Sequence, residues 1–139
     1  MPLPPQLVTH SQSTFEHLLE HQSEAINAWP EPLIEDLKHV LGLSCFIGDC
    51  LQRDTILSTT LPDMLECEER AEGYRRRLAE LLSDCTDEMS GQRVLRQFRN
   101  REMTYIAWRD FMGSWELEQS LSHLSMLAEA MIFETYQWQ

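Results

Sequence analysis

The chain has 139 residues, 42% of them hydrophobic and 24% charged, with a formal net charge of -12. That size fits one domain burying roughly two-thirds of the surface of its unfolded chain, and the composition excludes a disulfide scaffold, a collagen-like repeat and a disordered tail. The 23 acids against 11 bases argue against a nucleic-acid binder, which needs surplus positive charge to attract phosphate, and no apolar run approaches the roughly 18 residues of a membrane span.

The N-terminus, Met1-Pro2-Leu3-Pro4-Pro5, has neither a basic region nor an apolar one, so no secretion signal is visible and a cytoplasmic protein is expected. Four cysteines (Cys45, Cys50, Cys67, Cys85) form no C-x-x-C pair, and reduced, mostly buried thiols are the expectation. Residues 1–12, proline-rich at their start, read as a loose arm. One helical domain is expected over 13–139.

Ser13 and Glu16 have the spacing of a capping box and predict a first helix from Ser13, with Phe15, Leu18, Leu19 and Ile26 as its buried stripe and Pro30 as its stop. Further helices are expected over 32–41 and 44–51, with a short piece over 54–61 ended by Pro62. A helix over 69–82 follows, then turn and cap residues Ser83 to Asp87. Two long helices over 88–112 and 116–136 complete the chain, separated by Gly113 and by Ser114 as the expected cap; so short a connection makes them antiparallel neighbours. No alternating strand pattern occurs. The fold class is all-α, a compact bundle of about six helices ending in a long antiparallel hairpin.

Residues 93–112 carry two apolar arcs at helical spacing, one of Val94, Leu95, Phe98, Tyr105, Ile106 and Met112, the other of Met103, Ala107, Trp108 and Phe111. A helix apolar on two sides is sandwiched between neighbours, so this one is expected at the centre. Glu102 and Arg109 fall inside the first arc and must find partners or reach water. Arg93, Arg96, Arg99, Arg101 and Arg109 point all around the axis, which favours pairing within the molecule over one phosphate site. Residues 1–69 hold 12 acids and 2 bases, whereas 70–139 hold 11 and 9, so an arginine-rich helix can pack against an acidic half.

On the last helix, Leu117, Leu121, Leu124, Leu127, Ala128, Met131 and Ile132 are expected in the core. The opposite side holds Met126, Ala130 and Phe133, with Tyr136 and Trp138 near the end. Met126, Phe133, Tyr136 and Trp138 are candidates for a surface that meets another copy, another protein or the rest of a longer chain.

The run Leu95-Arg96-x-Phe98-Arg99-x-Arg101-x-Met103-x-x-Ile106-Ala107-Trp108, with Leu121-Ser-His-Leu-Ser-Met-Leu-Ala-Glu129 after it, resembles the N-terminal helical region of the bifunctional glutamine synthetase adenylyltransferase/adenylyl-removing enzymes. The likeness is specific over 92–136 and thinner over 26–50, where Trp29-Pro-Glu-Pro-Leu33 and Ser44-Cys-Phe-Ile-Gly-Asp49 echo the family. It implies nitrogen-controlled addition and removal of AMP on a tyrosine of glutamine synthetase. It also implies ATP and magnesium for the full-length family, and glutamine synthetase, the P-II nitrogen-signalling protein and a catalytic domain of the longer chain as partners. Family catalysis uses a Gly-Gly turn and a Ser-Asp-x-Asp motif whose carboxylates hold divalent ions. This sequence has no adjacent glycines and no Asp-x-Asp. By the family layout that motif would lie beyond Gln139, so no catalytic, cofactor or metal residue is carried over, and the motif residues from Leu95 to Trp108 are expected to be structural.

Two rival readings stand beside the resemblance. His17-Leu-Leu-Glu-His21 matches the H-x-x-E-H pattern, with both histidines on one helix face and Glu20 as a candidate base for zinc chemistry, but a third ligand would have to come from a distant helix, and solvated histidines on the polar side of the helix explain the same residues. A self-contained helical module binding a partner helix through the back of its last helix is the other. His10, His39 and His123 are read as structural or solvated.

Overall fold

The computed structural model describes residues 2–67 and 69–139. Among the described residues seven α-helices follow in order: α1 Pro5–Asn27, α2 Glu31–Leu43, α3 Cys45–Arg53, α4 Thr55–Glu66, α5 Tyr74–Ser83, α6 Glu88–Phe111 and α7 Leu117–Trp138. One 3-10 turn, Ala71–Gly73, leads into α5, and there is no strand among the described residues.

Most of residues 1–12 are helix rather than a loose arm. Pro5 stands in the first turn of α1, where its missing N–H costs nothing and its fixed φ suits the helix. Ser13 is therefore interior to α1 and caps nothing. Ser11 ties this stretch down, its hydroxyl donating to the Lys38 carbonyl on α2. At Gln22 the backbone leaves helical geometry (φ -139, ψ 41). The amide of that side chain donates to the carbonyls of Leu51 and Gln52 at 2.7 and 3.3 Å, supplying partners that the end of α3 lacks within its own helix.

Short polar residues start the middle helices. Ser44 accepts from the Ile47 N–H at 3.2 Å, Asp54 from Leu57 at 3.1 Å and Asp87 from Ser90 at 2.7 Å. Those Ser90 contacts hold the Asp87 carboxyl below its usual range. The cap of α7 is Glu116, in a reciprocal box with Gln119, and not Ser114. Ser114 instead donates its N–H to the Arg109 carbonyl at 3.0 Å, while Gly113 donates to Asp110 at 3.1 Å. These two bonds close a Schellman motif on α6, and Gly113 supplies the φ of +71 that the motif requires.

Pro62 does not stop α4; it lies inside the helix. A proline there cannot donate to the carbonyl four residues back, that of Ser58. The indole of Trp29 donates to that oxygen at 2.7 Å instead, so a group left open by the proline is closed from the turn between α1 and α2.

Helix α6 is central, touching α2, α3, α4, α5 and α7, while α1 packs chiefly on α2 and α7 on α5 and α6. The core holds Leu18, Ile26, Leu37, Leu41, Ile47, Leu51, Leu57, Leu61 and Leu78, all fully buried, each contributing about 2 kcal/mol of apolar burial. Trp29 meets Trp108 with ring centroids 5.9 Å apart, and Tyr74 meets Phe98 edge-on at 6.3 Å.

The inward face of α7 differs from expectation. Ser120, His123, Leu127 and Ala130 are its buried residues. Leu117, Leu121, Leu124 and Ile132 are exposed, and Ala128 with them. The helix is rotated because two polar residues are bonded inside: Ser120 donates to Asp110 at 2.7 Å, and His123 sits 3.0 Å from Glu69. Of the cysteines, only Cys50 is buried, where burial pushes its thiol pKa up. Cys45 and Cys67 are exposed because they stand at the start of α3 and just past the end of α4.

Candidate functional site

The concentrated polar chemistry lies where α6 meets the crossing from α4 to α5. Glu102 is 3% exposed and receives both arms of the Arg70 guanidinium, at 2.9 and 2.7 Å. Arg77 approaches the Oε1 oxygen, which already accepts from the Arg70 Nε, at 3.4 Å. Burial disfavours charge on Arg70, but the two bonds to Glu102 outweigh it and hold the guanidinium above its ordinary pKa. Arg77 has the weaker contact, and burial leaves its pKa lowered. Tyr74 lies nearby, and burial followed by the charge of Glu102 pushes its phenol well above the usual range.

One turn along α6, Tyr105 donates its hydroxyl to the Cys67 carbonyl, and Arg109 donates to the carbonyls of Leu65 and Cys67. Toward the other end Arg101 forms a forked pair with Asp54, at 2.6 and 3.1 Å, on the same carboxylate that caps α4. From α7, His123 lies between the Gln119 carbonyl at 2.8 Å and the Glu69 carboxylate at 3.0 Å, its ring stacked on Trp115. These acids are thus engaged as caps and ion-pair partners: they fix helices.

The residues singled out in the sequence divide by position. Phe98, Ile106 and Trp108 are buried, Leu95, Met103 and Ala107 pack against the core, and Arg101 is the ion-pair partner just described. Arg96 and Arg99 are exposed, as is Arg93. The arginines of α6 therefore do not converge. Of the four candidate surface residues, Met126, Phe133 and Tyr136 are exposed, but Arg75 covers the Phe133 ring at 3.6 Å and pairs with Glu134 at 3.3 Å. Trp138 turns inward against Gly91, occupying the space a Cβ would need.

His17 and His21 share a face, but their rings stack on each other with centroids 4.2 Å apart, and the His21 Nδ1 lies 3.0 Å from the His17 carbonyl. Among the described residues no group of three His, Cys, Asp or Glu side chains is placed to hold a metal ion. No helix among them is long and apolar enough to cross a membrane.

Two features escaped the sequence reading: the roles of Gln22 and Trp29 as donors to another element's carbonyls, and the outward leucines of α7. The proline inside α4 was the one available signal for the first of these.

Comparison with known proteins supplies the frame for this geometry. Residues 34–139 match the family model of glutamate-ammonia ligase adenylyltransferase. The chain is 53% identical, over all 139 residues, to the bifunctional glutamine synthetase adenylyltransferase/adenylyl-removing enzyme of Vibrio parahaemolyticus, of which it covers 14%. It is 42% identical over 106 residues to that of Shewanella woodyi and 36% identical over 115 residues to that of Pseudomonas aeruginosa, covering 11% and 12% of them. These alignments take in 75% and 81% of the chain. No solved structure matches. The chain spans about one-seventh of the curated relatives it matches, in their N-terminal part. With its all-α architecture and the α6 pattern in the core, it belongs to the glutamate-ammonia ligase adenylyltransferase family.

Proposed function

We propose that these residues act as the non-catalytic helical N-terminal part of a bifunctional glutamine synthetase adenylyltransferase/adenylyl-removing enzyme. The observation that carries this reading is 53% identity along the entire chain to a relative of which it makes up 14%. The chemistry of the site agrees with a scaffold. AMP transfer needs carboxylates free to hold divalent ions against phosphate oxygens, whereas Asp54, Asp87 and Glu102 here cap helices or neutralise arginines.

On this reading the ATP, the magnesium and the catalytic carboxylates belong to the remainder of the longer polypeptide. The helical part positions that remainder and offers surface to glutamine synthetase and to the P-II signalling protein, in the cytoplasm. Met126 and Tyr136 are exposed for such a contact, or for a second copy of the chain.

The test is AMP transfer. The 139 residues, incubated with glutamine synthetase, magnesium and labelled ATP, are expected to leave glutamine synthetase unlabelled. The full polypeptide that contains them is expected to label it. Turnover by the short chain alone would overturn the scaffold role, and an inert full polypeptide would overturn the enzyme assignment.

A further inference from the structure

The arginines of α6 do not converge on one another, but two of them share a cleft with a third from α3. Arg53, at the end of α3, lines an opening of about 400 Å3 together with Arg96 and Arg101 of α6. Ile56 and Leu57 of α4 contribute apolar wall. Arg101 is committed to Asp54, the one carboxylate among the described residues that line the cleft. A smaller neighbouring cleft, which shares Ile56 and Arg101, holds Glu102, already taken by Arg70. Asp49 of α3 is exposed and lies outside the lining.

Arg53 and Arg96 have no carboxylate within ion-pair distance among the described residues. A chain with 23 acids and 11 bases is not short of partners for them. Two uncompensated guanidinium groups at one opening are therefore a local reversal of the field around an acidic molecule. Two unmet positive charges match a dianion. A carboxylate has two oxygens and one charge and satisfies a single arginine fork, as Asp54 does for Arg101. A phosphoryl group on an ester carries nearly two charges on three acceptor oxygens near neutral pH, so it accepts from two forks at once. Asn100, also in the lining, takes a 3.4 Å contact from Arg99 on its side-chain oxygen, which leaves its amide hydrogens as further donors. The volume admits a phosphate with a small organic group attached.

We propose that Arg53, Arg96 and Asn100 form a binding site for a phosphoryl group, free as inorganic phosphate or carried by a small phosphate monoester, beside the Arg101–Asp54 pair. The inference rests on the charge and shape of this cleft and not on the family reading.

The experiment titrates the 139-residue chain with inorganic phosphate and, separately, with phenyl phosphate, in a calorimeter at about 0.15 M salt. Saturable binding of one ligand per chain is expected. Tighter binding of phosphate assigns the site to the free ion, and tighter binding of phenyl phosphate assigns it to a monoester. Succinate, whose two charges sit on separate carboxylates, should bind at least about tenfold more weakly. Arg53→Gln combined with Arg96→Gln should weaken phosphoryl binding at least about tenfold. Arg76→Gln combined with Arg93→Gln removes the same charge from exposed positions outside the cleft and should leave binding unchanged. Circular dichroism confirms that each variant is helical; if the Arg53, Arg96 variant is not, Arg96→Gln alone replaces it. Failure of both ligands to saturate the chain at millimolar concentration overturns the proposal. So does an equal loss in the two double variants, which would mark diffuse attraction, or succinate binding as tight as phosphate. Phosphoryl binding does not report AMP transfer, so this inference and the family function can fail separately.

Discussion

The indole Nε1 of Trp29 donates to the Ser58 carbonyl at 2.7 Å, the oxygen that Pro62 cannot serve from within α4. Trp29→Phe keeps most of the apolar contact with Trp108 but removes that donor. The expected loss is about 1–3 kcal/mol, the cost of an unmet buried polar group. In a Pro62→Ala background, residue 62 regains an N–H for the same oxygen, and the Trp29→Phe penalty should shrink. Urea unfolding of the four proteins checks this, and strictly additive losses would contradict it.

Glu102 faces two guanidinium groups from a nearly waterless position, so replacing it leaves cations without their counter-charge. Glu102→Gln should cost about 3 kcal/mol. The pair Glu102→Leu with Arg70→Met, which removes charge from both sides, should cost less than Glu102→Gln alone. Denaturant midpoints decide the order of the three proteins.

Asp54 has two duties, capping α4 and pairing with Arg101. Asp54→Ala loses both and should cost about 1–2 kcal/mol, combining a cap with a partly exposed ion pair. Asp54→Asn keeps an oxygen for the Leu57 N–H and should lose less. The remaining gap between Asn and wild type should narrow in high salt, where the pair is screened. A gap insensitive to salt would argue against the ion pair.

Tyr74 is buried, and its hydroxyl finds no hydrogen-bond partner among the described residues. Its pKa is raised in the folded state by burial and then by the charge of Glu102. A raised folded pKa means that the native state resists losing the proton. Stability from this group is complete below the unfolded tyrosine value near 10 and falls as pH rises through the folded value. Tyr105, raised by burial against the opposing pull of Arg109, has the same sign. Tyr74→Phe should therefore match or exceed wild-type stability at neutral pH and lose less of it above about pH 10. Thermal melts at neutral and alkaline pH measure the difference.

The helical class, the closing hairpin and the central place of α6 were legible because they rest on local spacing, on Gly113 and on two apolar arcs around one axis. The need of Glu102 for partners was legible too, since a carboxylate among apolar residues cannot stand alone. Which face of α7 turns inward was not. Leucine spacing reports an apolar stripe without saying what meets it, and the buried side is set by Ser120 and His123, whose partners Asp110 and Glu69 lie on other segments. The start of α1 and the passage of α4 through Pro62 are illegible for a related reason: in sequence a proline reads as a breaker, whereas one here stands where no N–H is needed and the other has its deficit met from Trp29.

The bonds that fasten the crossing between α4 and α5 join residues far apart along the chain: Arg70 to Glu102, Cys67 to Tyr105 and Glu69 to His123 are separated by 32, 38 and 54 positions. Asp54 and Trp29 likewise wait for Arg101 and Trp108. A ribosome that has released only the first four helices has made half a core with no lid of its own, and distant closures form slowly. The partners come late: α6 brings Arg101, Glu102 and Tyr105, and only α7 brings His123 to Glu69, so the first four helices and the few residues after them hold charges and carbonyls whose closures are encoded entirely downstream of them.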